Sequence, residues 1–407
     1  MEATAIMTGL MSPAGHHDPY PYYEALHQLG PVTRLPTGTV VVNGYDEVDA
    51  VLRNRSARVK DTDLLDRTWP GWRAHEAATL QAAAMVFDST DGHSRVRRLI
   101  SQAFTPRRVA ALEPAVHSLT QQILDRMQEL GGDGTPVDFV AEFAYRLPSA
   151  VICALLGIPQ DDALWIRKHI DTVTVFLEPD APLRDMTEAD ASAAELSAYL
   201  ERLIAERRRH PGDDLVSALV RVRDQSDGSL TESELVSNIS LLVLAGSQTT
   251  TDLLGTSMWL LAQHPSHAEA LAQQPGHALS YVQETLRYDA PVQLTMRWTP
   301  HGTTLAGVDV PAEETIIVLL GAANRDPRRF TDPGRFDPAR QHGQSLAFGA
   351  GPYFCLGAGL ANLQAQTALP LLLRRFPHIS PAEPPVRRAS LALRGFDTLP
   401  VTVTPRQ

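Results

Sequence analysis

The sequence predicts a mainly α-helical fold with small β-sheets, and three observations support that fold class. Beyond Tyr45, apolar residues recur at helical spacing over most of the chain. A capping-box signature at residues 231–234 opens a long apolar segment that ends before Pro265. Runs rich in β-branched residues are short and confined to the regions 32–42, 304–310 and 399–403. One long helix and minor strands are therefore expected.

Composition and charge narrow the classes of function. The 407 residues are 43% hydrophobic, and a chain of this length can form about two or three domains or one large one. The formal net charge of −11 argues against nucleic acid as a partner. The two cysteines are Cys153 and Cys355. So few cysteines do not indicate a disulfide framework, and a reducing compartment is expected. Cys153 follows an apolar pair and is predicted to be an ordinary core residue.

The beginning of the chain is predicted to lie outside the core. Residues 1–17 are expected to form a loosely ordered leader, and they lack the basic and apolar regions of a signal peptide. The most apolar run, residues 239–246, is too short to span a bilayer. We therefore expect a cytoplasmic protein without membrane attachment.

The next elements follow from turn and helix signals. A helix is predicted to begin near Pro19, and a hairpin around the turn at residues 36–38. Residues 159–209 are expected to form two or more helices, broken around residues 178–182. The irregular stretch 56–92 is typical either of a loop that covers a ligand pocket or of surface packing. The side chains it would offer to a substrate are Trp69, Trp72, Met85, Val86 and Phe87.

A basic helix is predicted to begin at residues 91–99. His93 and Arg97 are four residues apart, so they share one face of that helix. Such a pair can hold a carboxylate or phosphate by charge-assisted hydrogen bonds. The same pattern also suits a solvated basic helix start.

The long helix has a weak interior at residues 244–252. Gly246 costs about 1 kcal/mol relative to alanine, and three successive threonines add smaller penalties. Threonine hydroxyls also compete for backbone carbonyls and can bend a helix. Either packing overrides the weakness, or small residues and a hydroxyl form a groove for a ligand.

Residues 348–361 contain a cysteine between two glycine-rich flanks. Glycines let the backbone approach a large flat group closely. Cys355 precedes an apolar helix predicted over residues 360–373, and a helix N-terminus favours the thiolate form of a thiol. A thiolate presented in this way is a good metal ligand. The alternative is a structural cysteine beside a turn.

The spacing Phe-Gly-x-Gly-x-x-x-Cys-x-Gly-x-x-Leu-Ala at residues 348–361 resembles the haem-ligand loop of the cytochrome P450 family. Other segments similar to those of the family occur in the same order, namely His-x-x-x-Arg at 93–97, the glycine–threonine motif at 245–250 and Glu-x-x-Arg at 284–287. The resemblance covers essentially the whole chain. It implies one domain over residues 1–407, with a long central helix over a haem b whose iron is bound by the thiolate of Cys355.

The resemblance also implies roles for individual residues. Those expected to contact the haem propionates are His93, Arg97, Arg297 and Tyr353. Those expected to surround the haem beside the ligand are Phe348, Gly349, Gly357 and Ala361. Those expected to shape the oxygen site are Ala245, Gly246, Gln248 and Thr249. Glu284 and Arg287 are expected to form a buried structural ion pair. Beyond the loop side chains above, the expected substrate contacts are Val173, Phe176, Val292, Gln293, Leu294, Thr295 and Phe396, with Gln293 and Thr295 as polar anchors.

Four positions depart from the family pattern. Gln248 stands where an acid is usual, and an amide does not exchange a proton as a carboxyl group does. Tyr353 stands where a histidine is frequent, although its hydroxyl can still donate one hydrogen bond. Asn362 and Gln364 replace the usual Arg-x-Glu, which alters the expected pattern of redox-partner docking.

The resemblance implies a haem-thiolate monooxygenase that uses dioxygen and hydroxylates a small, largely apolar natural product. Ferredoxin and a ferredoxin reductase would supply its electrons, and the protein is expected to be a monomer. Gln248 keeps a second outcome open, oxidative C–C or C–N coupling without oxygen insertion. A haem sensor or carrier is a third. A dinucleotide-binding oxidoreductase is disfavoured, because the paired glycines at 349–351 and 357–359 lack the third glycine.

Overall fold

The computed structural model describes residues 3–89, 91–177, 184–225, 230–341 and 343–405. Over these residues the prediction of a mainly α-helical fold with small sheets is confirmed. The helices are α1 (Ala3–Leu10), α2 (Pro13–His17), α3 (Tyr20–Leu29), α4 (Tyr45–Arg53), α5 (Thr62–Thr68), α6 (Glu76–Ala82), α7 (Asp91–Ala103), α8 (Pro106–Ala110), α9 (Glu113–Gly131), α10 (Arg146–Leu156), α11 (Ala163–Val173), α12 (Thr187–Arg209), α13 (Leu215–Gln225), α14 (Glu232–Gln263), α15 (Pro265–Gln273), α16 (Ala278–Tyr288), α17 (Leu320–Ala323) and α18 (Ala358–Arg375).

The strands are short, as predicted. They are β1 (Val32–Arg34), β2 (Val40–Val42), β3 (Val137–Asp138), β4 (Leu294–Trp298), β5 (Thr303–Leu305), β6 (Val308–Val310), β7 (Thr315–Leu319), β8 (His378–Pro381), β9 (Val386–Arg387), β10 (Phe396–Thr398) and β11 (Pro400–Thr404). None of the helices in the described ranges is both long and apolar enough to cross a membrane.

The chain divides into two compact units. The first comprises Met1–Arg58, Thr120–Tyr145 and Thr249–Gln407, and the second comprises Val59–Leu119 and Arg146–Gln248. Helices α9 and α14 begin in the second unit and end in the first. The expectation of a single domain stays a prediction.

The first unit contains a four-stranded sheet. Its order is β1-β2-β7-β4, with β2 and β7 parallel and the other pairs antiparallel. Alternate side chains of a strand point to opposite faces. Val40 and Val42 therefore pack in one apolar cluster with Ile316, whereas Val41 packs in a second cluster with Leu319. The predicted hairpin is the β1–β2 pair.

The prediction of a loosely ordered leader is wrong for residues 3–17, which form α1 and α2. Ile6, Met7 and Leu10 lie on one face of α1 and are at most 4% exposed, because they pack against the second apolar cluster of the sheet. The end of α2 is fixed by Arg394, whose Nη1 donates hydrogen bonds to the carbonyl oxygens of residues 16 and 17 at 3.1 and 2.9 Å. Apolar residues at helical spacing were the available signal.

The long helix begins with the predicted capping box. The backbone N–H of Thr231 donates to Oε2 of Glu234 at 2.7 Å, and the N–H of Glu234 donates to Oγ1 of Thr231 at 3.1 Å. Helix α14 then continues through its weak interior to Gln263. The predicted single long helix is therefore confirmed.

In its described ranges the second unit consists of helices and short turns. Helix α12 packs against α6 and α11, and α11 packs against α10. Helices α11 and α12 confirm the helices predicted over residues 159–209. The predicted break at residues 178–182 lies outside the described residues.

Candidate functional site

The loop that carries Cys355 is shaped by its own backbone. The N–H of Cys355 donates to the carbonyl oxygen of Phe348 at 2.9 Å. Gly349 and Gly351 have φ angles of 70° and 66°, where other L-residues are strained. A Cβ on Gly351 would also lie 2.7 Å from the carbonyl oxygen of Leu52. The glycines on this side of the cysteine are therefore required by the backbone.

Cys355 is half-buried just before α18. Gly357 is the N-cap of that helix, and its carbonyl oxygen accepts a hydrogen bond from the N–H of Ala361 at 2.9 Å. A Cβ on Gly357 would contact Sγ of Cys355 at 3.9 Å. The thiol thus lies beside a helix N-terminus, where a thiolate is favoured.

A buried ion pair holds the chain that leads into the cysteine loop. Nε and Nη2 of Arg287 donate to the two carboxylate oxygens of Glu284 at 2.8 and 2.7 Å, with both side chains at most 5% exposed. Nη1 of Arg287 donates to the carbonyl oxygens of Asn324 and Pro333 at 3.1 and 2.9 Å. Oδ1 of Asn324 in turn accepts from the N–H of Leu346 at 2.7 Å. The guanidinium of Arg287 therefore connects α16 to the chain that precedes the cysteine loop.

Arg297, on β4, is a buried cation. Its Nη1 donates to Oγ1 of Thr295 at 3.1 Å and to the carbonyl oxygen of Met296 at 2.8 Å, and its guanidinium lies 5.1 Å from the ring centroid of Tyr353. Burial lowers the pKa of Arg297 to about 10, so the side chain stays charged at neutral pH. No carboxylate of the described ranges pairs with it. A buried charge without a counter-ion is costly, so this position favours an anion from outside the chain.

The predicted substrate residues of the first unit are mostly buried. Oε1 of Gln293 accepts from the hydroxyl of Tyr23 at 2.9 Å, and its Nε2 donates to the carbonyl oxygen of Ala290 at 2.8 Å. Both ends of this amide are thus used within the protein. Leu294 and Phe396 are buried, whereas Val292 and Thr295 are half-buried.

In the second unit His93 and Arg97 lie one turn apart on α7. His93 is 4% exposed, and its Nδ1 is 2.8 Å from the carbonyl oxygen of Met85. A carbonyl only accepts, so Nδ1 carries a proton and Nε2 can donate only when the ring is an imidazolium. Arg97 is half-buried. Arg95, between them, pairs instead with Glu234.

Two of the aromatic residues predicted as a pocket wall, Trp69 and Phe87, pack against Phe176 in this unit. The ring of Phe176 lies 6.4 Å from that of Trp69 and 5.3 Å from that of Phe87. Trp72 is 5% exposed, and its Nε1 donates to Asp66 at 2.8 Å. Among the remaining predicted contacts, Met85 and Val173 are buried and Val86 is half-buried.

Three small residues are accessible within an otherwise buried stretch of α14. Ala245 is exposed, and Gly246 and Thr249 are half-buried, whereas residues 241–244 and 250–254 are all buried. A Cβ on Gly246 would lie 2.9 Å from Cδ1 of Ile152, so a larger residue would force Ile152 to move. Residues 245 and 249 are one turn apart and share a face. At these positions α14 is accessible and its side chains are small.

Gln248 is buried and held by an arginine that no sequence motif marks. Nη2 of Arg167, on α11, donates to Oε1 of Gln248 at 2.5 Å, and its Nε donates to Asp171 at 2.7 Å. Arg167 is 1% exposed. Since Oε1 faces Arg167, the amide NH₂ faces away from it. The charge of Arg167 is balanced by Asp171, and the only signal for this arrangement was their i,i+4 spacing.

These features fit the haem that the resemblance implies. Cys355 supplies a sulfur ligand of the kind that haem iron accepts. In the same unit Arg297 offers a buried cation to an anionic propionate. The accessible face of α14 is lined by residues too small to obstruct a ligand. Each property is found without the cofactor and agrees with its chemistry.

Comparisons with known proteins agree with the site. The family model "Cytochrome P450" matches residues 7–394. The 6-deoxyerythronolide B hydroxylase of Saccharopolyspora erythraea is 37% identical over 403 residues, which cover 96% of this chain and 98% of that protein. The crystal structure of ligand-free CYP164A2 from Mycobacterium smegmatis has a TM-score of 0.87 and 36% identity, covering 98% of this chain and 100% of that one. The structure of CxnD, described as a cytochrome P450 enzyme for C–S bond formation in chuangxinmycin biosynthesis, has a TM-score of 0.86 and 31% identity, covering 96% and 95%.

Proposed function

The chain belongs to the cytochrome P450 family, and from that membership we propose that it hydroxylates a small, largely apolar natural-product intermediate. As a family member it is a monooxygenase that uses a haem with a cysteine thiolate ligand and dioxygen. The observation that carries the proposed reaction is the similarity, over nearly the whole chain, to a protein named as a hydroxylase.

The haem would be held by a thiolate, which binds its iron, and by cationic side chains, which contact its propionates. When bound, the haem supplies thiolate-ligated iron, whose electron-rich character favours cleavage of dioxygen. We assign the thiolate to Cys355 and the propionate contacts to His93, Arg97, Arg297 and Tyr353. The buried charge of Arg297 supports this assignment. Phe348, Gly349, Gly357 and Ala361 would form the adjoining surface.

The oxygen site is assigned to the accessible face of α14. Ala245 and Gly246 keep that face open, and the hydroxyl of Thr249 offers a hydrogen bond there. The amide of Gln248 is oriented by Arg167, so it can donate N–H bonds but does not release a proton as a carboxyl group would. Protons would therefore reach the site through water and Thr249, or from the substrate.

Replacing Thr249 with alanine is expected to uncouple oxygen consumption from product formation. The hydroxyl contributes one hydrogen bond, which is worth about 1 kcal/mol, so product formed per dioxygen should fall about five- to tenfold. The measurement compares dioxygen uptake, peroxide release and product in parallel. Thr249→Ser retains the hydroxyl and serves as the control, which should keep most of the coupling. Equal coupling in Thr249→Ala and the parent protein would refute the assigned role.

The side chains proposed to meet the substrate are mostly apolar or aromatic. They are Trp69, Trp72, Met85, Val86, Phe87, Val173, Phe176, Val292, Leu294, Thr295 and Phe396. Thr295 retains a half-buried hydroxyl for a polar substrate group. Gln293 is proposed to shape the wall through its backbone, because its amide already bonds Tyr23 and Ala290.

Electron delivery is proposed to come from a ferredoxin and a ferredoxin reductase, with the protein acting as a cytoplasmic monomer. Family membership supports that choice of donor. Asn362 and Gln364, near the start of α18, replace two charged residues that are usual in the family, so the docking of the donor is expected to differ from the usual pattern. Both are neutral amides that the protein itself engages or buries: Oδ1 of Asn362 accepts from Gln283 at 2.9 Å, and Gln364 is 1% exposed.

Oxidative coupling without oxygen insertion is the second candidate. It is favoured by Gln248, which removes the usual acid, and by the likeness to CxnD, a cytochrome P450 enzyme for C–S bond formation. Such a reaction would take two hydrogens from the substrate, and these, with two electrons from the ferredoxin and two protons from solvent, would reduce dioxygen to two water molecules. The two candidates differ in the fate of the oxygen atoms.

The test begins with the reduced, carbon-monoxide-bound protein, whose Soret band should be of the thiolate type. Ferric protein is then titrated with aromatic and macrocyclic compounds, and any compound that shifts the Soret band is turned over under ¹⁸O₂. Label in the product supports hydroxylation. An unlabelled product lighter by two hydrogens replaces hydroxylation with coupling. Binding without any turnover in the presence of reductase and ferredoxin would indicate a sensor or carrier.

A further inference from the structure

A buried carboxylate lies one turn beyond Thr249 on α14. The side chain of Asp252 is 0% exposed. Nη1 and Nη2 of Arg388 donate to its Oδ2 and Oδ1, each at 2.9 Å. This is a bidentate pair, the strongest and most directional form of an arginine–carboxylate contact. Arg388 is 24% exposed and comes from the chain that follows β9.

The pair seats the β9–β10 hairpin on α14. A Cβ on Gly395 would collide with Oδ1 of Asp252, so the hairpin backbone rests directly on this carboxylate. One turn further along, a Cβ on Gly255 would lie 3.5 Å from the ring of Phe396, and the ring of Trp259 lies 6.0 Å from that of Phe396. Residues 252, 255 and 259 share one face of the helix. The hairpin packs against that face.

The same hairpin holds a segment that is assigned to the substrate wall. The N–H of Gln293 donates to the carbonyl oxygen of Ala392 at 3.0 Å, and the N–H of Arg394 donates to that of Pro291 at 2.7 Å. Between these bonds, Val292 pairs with Leu393 as an isolated bridge. Asp252 therefore fixes the position of the hairpin, and the hairpin in turn fixes the position of residues 291–293.

We propose that Asp252 and Arg388 form a positioning pair that sets ligand selectivity by fixing the hairpin and residues 291–293 on the half of α14 that carries Thr249. The inference rests on the proposed assignment of those segments to the substrate wall. Asp252 is also the buried acid nearest in α14 to Gln248, so proton donation is its rival role. Arg388 engages both carboxylate oxygens, which favours positioning over proton donation.

Amide hydrogen exchange tests the positioning directly and requires no substrate. In Asp252→Asn the N–H groups of Gln293 and Arg394 are expected to exchange about tenfold faster or more, because the hairpin opens more often. Amides of β2 and β7 should not change. Arg388→Lys keeps the charge but loses the fork, so its exchange should be intermediate. Asp397→Asn is the control, since Asp397 is 54% exposed and its Oδ1 lies 3.5 Å from Nε of Arg388.

Ligand selectivity is measured with 1-phenylimidazole and 4-phenylimidazole, which bind ferric haem through nitrogen and differ in the direction of the phenyl group. The ratio of their affinities is expected to change about five- to tenfold in Asp252→Asn and in the double variant Asp252→Asn/Arg388→Gln, and to stay constant in Asp397→Asn. The double variant leaves no buried unpaired charge, so it guards against misfolding.

The two readouts separate the possible failures. Unchanged exchange in both variants would overturn the positioning role. Faster exchange with an unchanged affinity ratio would overturn the link to selectivity. Unchanged exchange with increased peroxide release would assign Asp252 to proton supply instead. None of these results depends on hydroxylation, so a failed hydroxylation assay leaves them interpretable.

Discussion

Cys355→Ala is expected to abolish the thiolate-type Soret band of the reduced, carbon-monoxide-bound protein. Alanine removes the sulfur while the loop retains the hydrogen bond from residue 355 to Phe348, which uses backbone atoms only. The loss should therefore be chemical and leave most of the fold intact. Difference spectra before and after substitution measure it, with circular dichroism to check the helix content.

Cys153→Ala provides the matched control for that experiment. Cys153 is 1% exposed on α10, and burial raises the pKa of its thiol to about 12, so it stays protonated at neutral pH. A protonated core thiol is not a metal ligand. The control should keep the thiolate band and lose only a little stability. A band that persists in Cys355→Ala and vanishes in Cys153→Ala would reverse the ligand assignment.

Arg287→Ala is expected to destabilise the fold severely. Removing one partner of a buried pair costs about 3–5 kcal/mol. Glu284 would keep a cationic partner through the longer contact of its Oε1 with Nε of Arg340, at 3.3 Å, which does not replace the two bonds from Arg287. Here the substitution also removes donors to the carbonyl oxygens of Asn324 and Pro333. Urea unfolding of the purified protein measures the free energy of unfolding. The haem content per chain should fall as well, because Asn324 bonds Leu346 at the approach to the cysteine loop.

Arg53→Ala tests whether burial is the cause. Arg53 pairs with Asp49 at 2.8 Å on α4, but it is 62% exposed. Solvent screens an exposed i,i+4 pair and its contribution to stability is small, so this variant should unfold near the urea concentration of the parent. Arg287→Lys should not rescue stability, since lysine lacks the planar fork that reaches the carboxylate and the carbonyls together. Similar losses for Arg53→Ala and Arg287→Ala would contradict the argument.

The features that could be predicted from the sequence are those with a local pattern. The capping box of α14 needs only residues 231 and 234, and both of its hydrogen bonds are present. The glycines before Cys355 lie within a few residues of it. Their positive φ angles require glycine, and the spacing pattern of the loop therefore predicts them. Patterns of this kind can be predicted because the interacting residues are neighbours in the chain.

The features that could not be predicted depend on partners far apart in sequence. Arg167 and Gln248 are 81 residues apart, and Arg388 and Asp252 are 136 residues apart. Gln293 was expected to face a substrate, but its amide oxygen bonds Tyr23, 270 residues away. Only the folded chain shows which polar group meets which. The misjudged beginning of the chain has the same origin, since Ile6 and Leu10 are buried by residues around 294 and 319.

The isolated charge of Arg297 has a consequence for biosynthesis of the protein. Before the cofactor arrives, a folding chain must enclose this guanidinium among neutral groups, so its native arrangement is electrostatically frustrated there. An anionic cofactor relieves the conflict at the moment it binds, and binding to the native state alone raises stability by mass action. Haem supply would then act as a folding aid. Cells short of haem should accumulate chains that are cleared or aggregate.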